Sequence, residues 1–96
     1  MAKIIIKLPR IAGFPRLATD LVRQANVQPD RDSIVIDGRG LVSGTESFAL
    51  QLARELNELD VSGIDIIGGT PDWELTMTNA AESREIPVQV IPLSQA

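Results

Sequence analysis

The residues best placed for chemistry lie in two glycine-bearing turns. Asp37-Gly38-Arg39-Gly40 follows the β-branched run Ile34-Val35-Ile36, and Gly68-Gly69-Thr70-Pro71-Asp72 follows Ile64-Asp65-Ile66-Ile67. A carboxylate at the carboxyl end of a buried strand stands where open α/β sheets bind ligands. A glycine-containing turn before a helix also offers backbone N–H groups to a phosphate. Asp37, Gly38, Gly40, Thr70 and Asp72 are therefore candidate residues for a small molecule or phosphate at that edge. The dinucleotide pattern G-x-G-x-x-G is not met, because Ser43 stands where the third glycine belongs and Gly44 comes one place late. No Gly-Lys-Ser/Thr sequence follows either. The plainer reading has the glycines serving tight turns and Asp37 accepting backbone N–H bonds in its loop. A metal at Asp37 requires Asp65 or Asp72 to arrive in space, and none is assigned.

A second group is Ser43, Thr45, Glu46 and Ser47, at the expected start of a helix. Ser43 and Glu46 have capping-box spacing, and Thr45 is also an acceptable cap. A hydroxyl here tolerates phosphorylation, since the positive end of the helix dipole favours added negative charge. The candidates are Ser47 and Thr45. Trp73 reads either as an exposed partner anchor or as core.

The chain contains no histidine, cysteine or tyrosine. That removes the usual general base at neutral pH, most catalytic triads, thiolate chemistry and cysteine zinc sites. No catalytic residue and no cofactor is assigned, and a non-enzyme is expected. No apolar run reaches membrane length and no signal peptide is evident, so the expected location is the cytoplasm. Residues 1–40 hold seven basic residues against four acids, whereas residues 41–96 hold two against nine. The net charge of −4 disfavours nucleic acid as the main partner. The first half can still present a local basic face.

These residues must be positioned by elements readable from hydrophobic period. Lys3-Ile4-Ile5-Ile6-Lys7-Leu8 reads as a strand ended by Pro9, its lysines being of the kind that protect a sheet edge. Arg10 to Pro15 reads as a loop. Leu17, Ala18, Leu21, Val22 and Ala25 give the helix Arg16–Asn26 its inner face, with Pro15 in the first turn. Asn26 to Asp32, with Pro29, is a polar connection. Ser33–Ile36 reads as a strand buried on both faces. From Phe48 the apolar residues fall at 48, 49, 52, 53, 56 and 59, one face of the central helix. Ile64–Ile67 is a third strand. A weaker helix runs from Asp72 to about Glu82, with Trp73, Met77 and Ala80 or Ala81 inward and Thr70 as its cap. Val88–Ile91, between Pro87 and Pro92, is the last strand, and Leu93–Ala96 reads as loose. The order β-α-β-α-β-α-β predicts one α/β domain over residues 1–96, with a single, mostly parallel four-stranded sheet and about three helices.

The run I-V-I-D-G-R-G-L-V-S-G-T-E-S-F-A-L-Q-L resembles the STAS fold of anti-sigma-factor antagonists, and looks closest to a branch of small bacterial STAS-like domains. Asp37, Gly40-Leu41, Thr45, Ser47, Phe48 and Ala49 occupy the places of that branch's motif. The motif covers residues 33–56, and the element order most of the chain. The resemblance implies a regulatory signalling module that binds a kinase-like ATPase and is switched by phosphorylation of a serine at the helix start. In the family pattern Asp-Ser-Ser-Gly the first serine takes the phosphate. Thr45, Glu46, Ser47 and Phe48 stand at those positions, so the acceptor place holds Glu46, which a serine kinase cannot phosphorylate. Either Ser47 or Thr45 serves instead, or the switch is lost and Glu46 is a fixed negative charge. The expected partner surface is Arg39, Ser43, Thr45, Glu46, Ser47, Gln51 and Arg54, with the two arginines and Glu46 free to pair with charges on a partner.

Overall fold

The computed structural model describes residues 3–28 and 33–91. Residues 29–32, which include Pro29, and the expected stop at Pro92 with the tail after it lie outside the described residues. The chain runs β1 (Lys3–Lys7), β2 (Ile11–Ala12), α1 (Pro15–Ala25), β3 (Ser33–Asp37), β4 (Ser43–Gly44), α2 (Glu46–Glu58), β5 (Ile64–Ile67), α3 (Pro71–Glu82), β6 (Val88–Ile91). Four strands form one sheet in the order β1-β3-β5-β6, with every neighbouring pair parallel. The α/β class, the four strands and the three helices are as the sequence predicts, and β1 is indeed an edge. Among the described residues no helix is long and apolar enough to cross a membrane.

Strands laid down in chain order and joined by right-handed crossovers put every connecting helix on the same face. The core agrees. Ile6, Ile34, Ile36, Ile64 and Ile66, alternate residues of the strands, pack in one cluster with Val22, Phe48, Leu52, Leu56, Trp73 and Met77. The intervening residues Ile5, Val35, Asp65 and Gln89 share one register row on the opposite face. Val35 belongs to no helix-side cluster, yet it is only 7% exposed. The expectation of a strand buried on both faces therefore holds, although Val35 lies on the face opposite the helix-side core.

The helix ends follow local chemistry. Pro15 opens α1, and Asn26, the expected last residue, is instead a left-handed cap whose N–H bonds Arg23 O. Thr70 caps α3 by accepting from the Trp73 N–H. Thr76 and Thr78 bond back to the carbonyls of Asp72 and Glu74, so these poor helix formers satisfy their hydroxyls within α3. Trp73, Met77, Ala80 and Ala81 are all buried. At 1% exposure Trp73 is core, and the reading of it as an exposed anchor is withdrawn. The segment expected to be a plain loop contains β2, which pairs in parallel with β4. Strands of two residues carry no period for a sequence reading to detect.

Candidate functional site

At the carboxyl edge of the sheet the two glycine turns pack on each other. The Gly38 N–H donates to Ile67 O at 2.7 Å. A Cβ on Gly38 would lie 3.3 Å from Gly69 Cα. A Cβ on Gly68, whose φ is +74°, would lie 2.7 Å from Arg39 Cγ and 2.9 Å from Arg39 Cα. The glycines thus allow one backbone to lie on another. Gly40, by contrast, is exposed with open space around it. Asp37 is buried at 8% exposure, and its carboxylate accepts three bonds from Arg39: backbone N–H at 3.1 Å, Nε at 3.0 Å and an Nη at 2.9 Å. The Arg39 side-chain hydrogen bond holds the Asp37 pKa below the usual aspartate value against the opposing effect of burial. Lys7, its register partner, adds to the lowering. Arg39 is accordingly committed to Asp37 and not left free for a partner's acid.

The remaining edge residues are dispersed. Thr70 is half-buried and occupied as the α3 cap, and Asp72 is exposed in the first turn of that helix. Alternation from Ile36 places Asp37 on the helix-free face of the sheet, whereas Asp72 starts on the helix face. Four surface depressions of about 250 to 340 Å³ lie elsewhere, and none of the four is lined by Asp37, Thr70 or Asp72. Among the described residues no group of three or more Asp or Glu is placed to hold a metal ion.

The start of α2 is arranged differently. Thr45 is its cap, accepting from the Phe48 N–H at 3.2 Å and donating to Gly13 O at 3.4 Å. Ser43 does not cap. It lies exposed on β4 opposite Ile11, so the capping-box spacing with Glu46 has no structural counterpart. Glu46 and Ser47 are exposed in the first turn. Gln51 is half-buried on the next turn, and Arg54 is exposed but 3.5 Å from Glu58 Oε1. Ser43, Thr45, Glu46, Ser47 and Arg54 are therefore all exposed, Ser43 on β4 and the others at the start and along the length of α2.

Beside it stand residues that the sequence reading left unmarked. Ile11 is 69% exposed, Phe14 75%, Val42 61% and Leu50 42%. The N–H groups of Val42 and Ser43 both donate to Arg10 O, and the Thr45 N–H donates to Ala12 O, which ties the β2 and β4 segments into a ribbon. The ribbon's inner side is anchored. Ala12 is fully buried, and a Cβ on Gly44 would lie 2.7 Å from Trp73 Nε1. Ile11, paired with Ser43, lies on its outer side, the exposed Val42 immediately precedes β4, and Phe14 follows just before α1. A depression of about 320 Å³ continues this surface between Phe14, Arg16, Leu17 and Asp20. The signal in the sequence was slight: Ile11, Phe14 and Val42 fall outside every helical or strand stripe, in segments whose apolar residues have no period to bury them.

Comparison with family models, with curated proteins and with solved structures returns no match for this chain.

Proposed function

We propose that this chain is a non-enzymatic protein-binding module with a regulatory role in the bacterial cytoplasm, and that its working surface is the corner where the β2–β4 ribbon meets the start of α2. One observation carries the reading. Four large apolar side chains are exposed in segments that the β2–β4 pairing and α2 bring together: Ile11 and Phe14, Val42, whose N–H is tied to Arg10 O, and Leu50, one turn along α2 from Glu46. Isolated exposed apolar residues are ordinary on a protein surface, but a group of them beside a polar rim marks a contact surface. The missing histidine, cysteine and tyrosine point the same way.

The resemblance to STAS-like domains supplies the expected partner, a kinase-like ATPase, and the expected mode of control. Of the two hydroxyls considered, that of Thr45 is engaged as the helix cap, while that of the exposed Ser47 makes no hydrogen bond among the described residues. Ser47 is thus the more accessible acceptor. A phosphate there would stand next to the apolar group, at a helix end that favours its charge.

The test is calorimetric titration of the wild type, Phe14→Ser and Glu46→Ala against the kinase-like ATPase of the same host. Binding by the wild type that weakens in Phe14→Ser and changes in Glu46→Ala places the surface at this corner. Binding that neither variant alters, or no binding at all, removes the proposal.

A further inference from the structure

We infer that the element docking on this corner is an acidic amphipathic segment of a partner protein, one that sets apolar side chains on Ile11, Phe14 and Val42 and carboxylates beside Arg10 and Arg16. The inference rests on the reading of the corner as a binding surface and adds the chemistry of what binds. Arg10 and Arg16 are exposed and flank the apolar group on either side in the chain. Neither has an ion-pair partner among the described residues. Arg39, also exposed, is matched to Asp37. The half-buried Asp20 lines the same depression as Phe14 and Arg16, and Glu46 is exposed in the first turn of α2.

The start of α1 adds to this polarity. Its cap position is Phe14, which makes no side-chain cap bond, and its first turn contains no acid. The first N–H groups of a helix carry partial positive charge, so this end lacks the negative group that usually sits there. α2 and α3, in contrast, have threonine caps and acids in their first turns. The uncapped end of α1, the unpaired guanidiniums of Arg10 and Arg16 and the exposed Ile11 and Phe14 fall within residues 10–16, and the exposed Val42 is tied to that segment through Arg10 O, in a chain whose net charge is −4. Their complement is apolar and carboxylate-bearing.

Other anionic surfaces fit less well. Nucleic-acid affinity comes from neutralising many phosphates, and two free arginines on an acidic chain supply few. An anionic membrane would likewise repel the rest of the molecule, and stable membrane attachment uses clusters of basic residues.

The experiment is an NMR titration of the whole chain with two peptides. One is an amphipathic leucine-glutamate peptide, and the other has the same sequence with every glutamate replaced by lysine. The expected result is saturable shifts for the glutamate peptide at amides of residues 10–16 and 41–50, with binding at least tenfold weaker for the lysine peptide, about the effect of a few exposed charge pairs reversed. The R10E/R16E variant should weaken the glutamate peptide by about tenfold and invert the preference. Phe14→Ser, at a position that is 75% exposed, should weaken both peptides without altering the fold. Equal binding of the two peptides at this corner would overturn the inference and leave the surface as a contact site. No shifts with either peptide, or shifts only elsewhere on the molecule, would overturn the inference, while the ATPase titration decides the binding-surface reading separately. Tighter binding of a single-stranded oligonucleotide or of phosphatidylglycerol vesicles at the same amides would also overturn it.

Discussion

Two neighbouring regions at the carboxyl edge of the sheet handle their polar and apolar groups in opposite ways. In the Asp37–Gly40 and Gly68–Gly69 turn pair every notable group is matched: Asp37 to Arg39, Gly38 N–H to Ile67 O, and Gly68 to the Arg39 backbone. At the Ile11–Phe14 and Val42–Leu50 corner the backbone is equally well tied, but the outer side chains have nothing to rest on. The glycine-rich sequence that attracts a chemical reading is thus structural closure. The surplus of unsatisfied surface lies in residues of unremarkable type. Chemical distinctiveness of a sequence and availability of a surface are separate properties.

The contrast predicts that substitutions in the turn pair cost stability, whereas those of the exposed apolar side chains at the corner change only recognition. The largest effect is expected at Gly68→Ala, which meets both a positive φ and the Arg39 backbone. A loss of roughly 2–3 kcal/mol is expected from urea denaturation midpoints. A loss below about 0.5 kcal/mol would show that the two turns do not hold each other.

Asp37→Asn comes next, at about 1–2 kcal/mol near neutral pH, because three hydrogen bonds to a charged acceptor are weakened. Its pH dependence has a definite sign. The folded-state pKa of Asp37 is lowered, so the stabilisation is present above the unfolded pKa and is lost as pH falls through the folded one. Wild type and Asp37→Asn should therefore converge in acid, which denaturation at several pH values would reveal. A constant difference would mean that the carboxylate's charge is not what matters.

Thr45→Ala should cost about 1 kcal/mol by losing the α2 cap, while Ser43→Ala stays within about 0.5 kcal/mol. Calorimetric melting of the pair decides which residue caps, and equal losses would restore Ser43 to that role. The smallest expected change is for Ile11→Ser and Phe14→Ser, within about 0.5 kcal/mol of wild type because both side chains are mostly in solvent already. A larger destabilisation would mean that the corner is part of the core and not a surface.

The boundaries of β3, β5 and α3 were legible to within a residue or so, and the inner face of α2 was legible though its start was not, because runs such as Ile34-Val35-Ile36 and the 48, 49, 52, 53, 56 stripe bury themselves in only one way. Asn26 escaped because its role depends on a left-handed φ of 55° and not on polarity. Thr45 and Ser43 could not be separated, since both are good caps and the choice was made by the pairing of Ser43 with Ile11. Arg39 looked free because an ion pair two residues apart across a turn is visible only once the turn is folded. Ile11, Phe14 and Val42 were missed for a different reason. An apolar residue in an aperiodic segment reads as core or as surface with equal ease, and only the folded ribbon decides.

The chain's single tryptophan has a consequence of its own. Trp73 is buried against Gly44 beneath the β2–β4 ribbon, with its ring centroid 6.3 Å from that of Phe48 near the start of α2. The molecule therefore carries one intrinsic fluorophore directly under the ribbon. Its emission should be that of a dry indole in the folded state, and any event that lifts or tightens the ribbon should change its wavelength or quenching without an added label.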